Sequence, residues 1–149
     1  MSRDDLRIGR ISTGGRLYHV TTTTEGRRPL FEDLTCARLL ISEMRRLQEQ
    51  HLLESLAWVV MPDHLHWLFR LHGPLPLSQV IKLLKGRSSK RVGEWLGTRQ
   101  TIWQRGFHDH ALRREEERQR VARYIVANPL RAGLVRSVRL YSHWDAVWV

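Results

Sequence analysis

Two β-favouring runs joined by Pro62-Asp63 constrain this chain more than any other feature of its 149 residues. Ser55 to Met61 carries Trp58, Val59 and Val60, and His64 to about Leu71 carries Leu65, Trp67 and Phe69. Two such runs with a tight link predict an antiparallel hairpin. Alternate side chains of a strand share a face, so His64 and His66 project together while Leu65, Trp67 and Phe69 project the other way. Paired imidazoles about 7 Å apart along a strand can hold a divalent metal from one side. The same spacing also suits two polar residues on a solvated sheet face, and a metal needs further ligands.

The length suffices for one domain with a real core, expected over 1–149. Hydrophobic residues make up 42%, which argues against disorder. No run of 18 apolar residues is present, so no membrane span is expected, and Met-Ser-Arg-Asp-Asp lacks the apolar core of a secretory signal. Cys36 is the only cysteine, which excludes an internal disulfide and a thiolate zinc cluster and fits a reducing cytoplasm. Lys+Arg 25 against Asp+Glu 15 gives +10, mostly from Arg, whose fork suits phosphate. Six Trp supply faces on which unpaired bases can stack. Together these point to nucleic acid, single-stranded in particular. A basic surface that aids solubility around a tryptophan-rich core is the plainer account of the same composition.

Along the chain, residues 1–15 read as a mobile basic arm with Arg3, Arg7 and Arg10 available for phosphate. Leu17 to Thr23 reads as a first strand, and Glu25 to Pro29 as a basic loop. From about Asp33 to His51, Leu34, Ala37, Leu40, Ile41, Met44 and Leu47 recur at helical steps. A second helix is expected from a Ser78 cap to about Leu96, with Val80, Ile81, Leu84, Val92 and Trp95 on its apolar face. Lys82, Lys85, Arg87, Lys90 and Arg91 lie largely on its opposite side. His108 to Arg113 reads as a fourth strand and Glu115 to about Ala127 as a third helix, ended by Pro129 and Gly133. Residues 134–149 form a tail with Tyr141, His143, Trp144 and Trp148. The order β-α-β-β-α-β with an added helix matches the ferredoxin-like α+β plan with an antiparallel sheet.

The third helix offers partners for the histidines. Tyr124 and Asn128 are four apart and share a helix face. If that helix packs on the histidine side, the Asn128 carbonyl is a candidate third ligand and Tyr124 stands beside the metal. A metal that polarises a phosphate makes it susceptible to a tyrosine nucleophile. Against this, Val121, Tyr124 and Ile125 form an apolar stripe that would put Tyr124 in the core, and Asn128 before Pro129 is disfavoured as helix. Asn128 then caps a following turn. His108 and His110 are a rival pair at strand spacing, better suited to phosphate contact or an edge.

Met61-Pro62-Asp63-His64-Leu65-His66 resembles the His-hydrophobic-His motif of the single-tyrosine HUH transposases, and the chain as a whole resembles their REP-associated tyrosine transposase branch. Further matching stretches are Tyr18 to Thr21, Trp103 to His110, Tyr124 to Leu134 and Tyr141 to Trp148, which span nearly the whole chain. The resemblance implies a ferredoxin-like core, Mg²⁺ or Mn²⁺ held by His64, His66 and Asn128, and Tyr124 as nucleophile. The implied substrate is single-stranded DNA beside a hairpin from repeated extragenic palindromes. The implied reaction is endonuclease and strand-transfer chemistry through a 5′-phosphotyrosine. Phosphate and base contacts are expected from Arg7, Arg10, Lys82, Lys85, Arg87, Lys90, Trp103, Arg105, His108, His110 and Arg113. A monomer or homodimer in the cytoplasm, at the nucleoid, fits such a substrate. The alternatives are a hairpin-binding module without catalysis and a hydrolase in which water attacks.

Overall fold

A computed structural model describes residues 15–114, 117–134, 141 and 143–146 of the chain. The basic arm expected over 1–15, with Arg7 and Arg10, thus lies almost entirely outside the described residues.

Five strands form one antiparallel sheet in the order β4-β1-β3-β2-β5. They are β1 (Leu17–Thr23), β2 (Leu53–Met61), β3 (His64–Leu71), β4 (His108–Ala111) and β5 (Trp144–Ala146). The helices are α1 (Leu34–Glu49), α2 (Leu77–Leu96), α3 (Glu117–Val126) and the single turn α4 (Asn128–Arg131). The ferredoxin-like α+β expectation holds for β1 to β4, α1 and α2. No helix among the described residues is long and apolar enough to cross a membrane.

The β2–β3 hairpin turns at Pro62-Asp63, with Met61 opposite His64. Its register is held by Leu65, Trp67 and Phe69, all fully buried on one face. Burying each such side chain contributes about 1.5–3 kcal/mol. A one-residue slip would expose that row and bury the histidines, so the alternative register is heavily disfavoured. On this face α1 and α2 pack through Leu40, Leu47, Val80, Ile81 and Leu84. On the other face α3 packs through Ala122 and Ile125 against Leu17, Val59 and Leu68.

Local chemistry sets the element ends. The Asp33 side chain accepts from the Cys36 N–H at 3.1 Å and caps α1. Gly97, in the left-handed conformation at φ 67, ends α2. Gly15 has φ +87, and a Cβ there would stand 1.8 Å from the Leu71 carbonyl oxygen, so only glycine lets the chain enter β1 beside the end of β3.

Several expectations need correction. Ser78 does not cap α2: the helix starts after Pro76, whose carbonyl accepts from Gln79 and Val80 N–H. Trp95 is 56% exposed rather than on the apolar face. Its Nε1 donates to Asp33 at 3.2 Å. Arg91 is turned onto α1, donating to Glu43 at 2.9 Å and Ser42 at 3.1 Å. β4 stops at Ala111 because Leu112 turns into the α3-side core. The tail contains a strand that periodicity does not reveal. β5 has only three residues, and pairing with β2 defines it. Tyr141 Oη adds a bond to the Val60 carbonyl at 2.5 Å, and the Val60 N–H donates to the His143 carbonyl at 2.8 Å.

Candidate active site on the histidine face

Strand register gathers the site. Thr23 pairs with His64, Thr21 with His66 and His19 with Leu68 across β1 and β3. On the other side of β1, Thr21 pairs with His108 and His19 with His110. One sheet face therefore carries His64 and His66 in its middle, His19 and Thr21 beside them, and His108 and His110 at the edge.

The two central histidines are oriented through their Nδ1 atoms. His64 Nδ1 donates to Asp63 Oδ1 at 2.7 Å, which leaves its Nε2 with a lone pair. Asp63 also accepts from Arg27 Nε at 3.0 Å. Burial opposes ionisation of Asp63, but the hydrogen bonds from His64 and Arg27 outweigh it and hold the carboxyl below its ordinary value. His66 Nδ1 lies 3.0 Å from both His19 Nε2 and Thr21 Oγ1. With the proton on Nδ1, both neighbours act as acceptors and His66 Nε2 also presents a lone pair. Burial, then the neighbouring His64, His19 and Arg131, push His66 down to about 3. Burial and His110 push His19 down to about 4. Both rings are neutral at pH 7, the form in which imidazole binds metal.

α3 covers this same face. Ala122 and Ile125 anchor it, while Tyr124 is 50% exposed at the rim, so it is not the core residue its stripe would permit. Its ring centroid lies 6.4 Å from that of His66 and 6.3 Å from that of His19, edge-on to both. Asn128 is not the cap of the following turn but its first residue, after Ala127. Its Nδ2 donates back to the Ile125 carbonyl at 3.2 Å and the Tyr124 carbonyl at 3.4 Å, which leaves the amide oxygen as acceptor. Arg131 Nη2 donates to the same Tyr124 carbonyl at 2.9 Å, and its guanidinium carbon sits 3.9 Å from the centre of the Tyr124 ring.

The donor set fits a divalent ion incompletely. Among the described residues no group of three or more His, Cys, Asp or Glu could hold a metal. Two imidazoles with rings oriented through Nδ1 are in place, and Asn128, just past the end of α3, keeps its amide oxygen as an acceptor. Such a set leaves coordination positions for water and substrate oxygens, as is usual for Mg²⁺ and Mn²⁺ at phosphate-processing sites. Its imidazole content favours Mn²⁺ over the harder Mg²⁺.

The remaining expected contacts are scattered. Trp103 is 4% exposed, donates from Nε1 to Ser88 Oγ at 2.9 Å and packs on Phe31, so it offers no face for stacking bases. Trp144 packs against the α3-side core, and Trp148 lies outside the described residues. α2 belongs to the layer opposite the histidines, so Lys82, Lys85, Arg87 and Lys90 stand away from them. Lys85 Nζ is engaged by the Gln104 carbonyl at 2.9 Å and by that of Gly106, and Arg87 donates to Gln50 at 2.8 Å. Lys82, Lys85 and Arg105 border a groove of about 750 Å³ with Phe107. His108, His110 and Arg113 are exposed, with the two histidines on the site's own face. Sequence reasoning missed His19, Thr21 and Arg131 as parts of this cluster. Alternation within β1 places His19 and Thr21 on a common face, but no local signal says that this face adjoins His66.

The chain is similar to known proteins in sequence and in fold. The profile of a family described as "Transposase IS200 like" matches residues 14–128. A REP-associated tyrosine transposase of Escherichia coli (strain K12) is 31% identical over 83 residues, 55% of this chain and 47% of that protein. The match thus spans about half the length of that relative. A solved structure of a REP-associated tyrosine transposase bound to a REP hairpin superposes with TM-score 0.73 at 26% identity, covering 88% of this chain and 76% of that one. A Deinococcus radiodurans R1 protein taken to be a transposase superposes with TM-score 0.56 at 25% identity, over 73% of this chain and 87% of its own.

Proposed function

The chain belongs to the IS200-like transposase family, and from that premise we propose that it is a metal-dependent single-stranded DNA endonuclease and strand transferase. Tyr124 is the nucleophile in this reading. It attacks a scissile phosphate, leaving a 5′-phosphotyrosine and a free 3′-OH; attack by a second 3′-OH reverses the step and joins strands. The observation that carries the reading is the position of Tyr124. The one tyrosine on α3 is edge-on to His66 and His19 of the same chain, half exposed and open to a substrate.

His64 and His66 through Nε2, with Asn128 as the third protein donor, would hold Mg²⁺ or Mn²⁺. Such an ion, when bound, acts as a Lewis acid on the phosphate. Asp63, His19 and Thr21 keep the two rings aimed. The phosphotyrosine conserves the energy of the broken bond, so joining needs no nucleotide cofactor. Because α3 packs on its own sheet, the tyrosine and histidines of one chain suffice, which supports action in cis.

A single-stranded DNA segment beside a hairpin is the proposed substrate, in line with the REP-associated relative's being bound to a REP hairpin. His108, His110 and Arg113 flank the site and would hold its phosphates. Lys82, Lys85, Arg105 and Phe107 would be reached only by a strand that passes around the β4 edge. The test is to incubate the protein with a labelled hairpin oligonucleotide and Mn²⁺ and to look for a denaturation-resistant adduct. Tyr124→Phe should abolish the adduct and spare hairpin binding. Cleavage without an adduct would instead mean that water attacks, and salt-sensitive binding with neither would mean a binding module.

A further inference from the structure

Arg131 stands where a phosphate clamp would stand. It lies in α4, after Asn128-Pro129, and is exposed. Its guanidinium lies over the Tyr124 ring at 3.9 Å from the centroid. One N–H is used on the Tyr124 carbonyl at 2.9 Å. Among the described residues this is its one hydrogen bond, and it makes no ion pair with a carboxylate. A guanidinium has five N–H donors in a planar fork, so most of its capacity remains.

An arginine committed to structure normally ends on a carboxylate or on several carbonyls. This one is stacked on the nucleophile's ring with its fork largely unspent, in a molecule whose substrate is a phosphodiester. Stacking and one backbone bond pre-set the side chain, so little rotamer freedom is lost when a phosphate arrives. We propose that Arg131 is a catalytic residue, its guanidinium holding a non-bridging oxygen of the scissile phosphate within reach of the Tyr124 hydroxyl. The proposal rests on the tyrosine-nucleophile reading above. As the Tyr124 Oη–phosphorus bond forms, the phosphorus–O3′ bond breaks. The phenol gives up its proton to solvent and the departing 3′ oxygen takes one up, so the charges balance. The fixed cation neutralises the negative charge that builds on the phosphoryl oxygens during the exchange.

The experiment compares wild type, Arg131→Ala and Arg131→Lys on two hairpin oligonucleotides. One carries a phosphate and the other a neutral methylphosphonate at the scissile position mapped with the wild type. On phosphate, Arg131→Ala should form the Tyr124 adduct about 10²–10³-fold more slowly, with hairpin affinity changed only a few-fold. Arg131→Lys should fall between, because it restores charge but not the fork. On the methylphosphonate, where the clamped charge is gone, wild type and Arg131→Ala should react at similar rates. The ratio of the two substrates for one preparation does not depend on how much of the protein is folded. Equal rates on phosphate, or equal slowing on both substrates, would overturn the assignment. Wild type that forms no adduct on either would sink the nucleophile reading first and this inference with it.

Discussion

His19 Nε2 lies 3.0 Å from His66 Nδ1, across a separation of 47 residues. Thr21 Oγ1 approaches the same nitrogen at the same distance. A second-layer partner on the far nitrogen fixes the tautomer and aims the ring of a metal-binding histidine, and its removal typically costs 10–100-fold in metal affinity. His19→Ala should therefore weaken Mn²⁺ binding by about 10-fold or more. Thr21→Val should weaken it less, because His19 remains. Titration of Mn²⁺ followed by electron paramagnetic resonance measures this without relying on cleavage. Affinity unchanged in His19→Ala would show that the pair has no such role.

Tyr124 and the histidines that it faces belong to one chain, with ring centroids 6.3–6.4 Å apart. A mixture of Tyr124→Phe and His64→Ala proteins should accordingly remain inactive in adduct formation, since neither chain holds a full set. Recovery of activity on mixing would mean that tyrosines are exchanged between copies.

Glu43 is 2% exposed between α1 and α2, held by Arg91 at 2.9 Å, with Arg46 at 3.5 Å. Breaking a buried pair by removing one partner strands a charge. Because the Arg91 side chain is itself 40% exposed and Arg46 remains 3.5 Å from the carboxylate, Arg91→Met should cost less than breaking a fully buried pair, about 1–3 kcal/mol. Combining it with Glu43→Met should recover most of the loss, since two apolar side chains can fill the same space. Urea denaturation midpoints of the three variants decide it. A double variant no better than Arg91→Met would mean that packing, not charge, is at stake.

Asp33 links acid sensitivity to the α1 cap. Hydrogen bonds from the Cys36 N–H, then Trp95 Nε1 and the Thr35 N–H, outweigh a small burial penalty and hold its carboxyl below the ordinary value. A depressed carboxylate contributes its stabilisation above the unfolded-state pKa and loses it as pH falls through the folded value. Asparagine also caps well but does not ionise in this range. Thermal melts of wild type should therefore lose more stability than those of Asp33→Asn as pH drops from about 5 to 3. Parallel curves for the two proteins would contradict the cap's part in acid sensitivity.

Much of this molecule is legible in its sequence. The β2–β3 hairpin, the face shared by His64 and His66, β1, and the helical periods of α1 and α2 follow from alternation and turn chemistry acting over a few residues. So does the possibility that Tyr124 and Asn128 act together. Trp103 shows where that reasoning ends: composition offered it as a stacking surface, whereas its indole is closed against Phe31 and Ser88. β5 shows it again, because three residues carry too little pattern to declare a strand, and pairing with β2 defines it.

The sequence by itself determined which side chains share a face within each element, because that depends on backbone period alone. Only the tertiary structure decided which faces meet. Pairing β1 with β3 sets His19 and Thr21 beside His66, and docking α3 on the histidine side, not with α1 and α2, brings Tyr124 over them. These contacts join residues tens of positions apart. Burial of Ala122, Ile125 and Leu68 fixes them, and no local spacing encodes that choice.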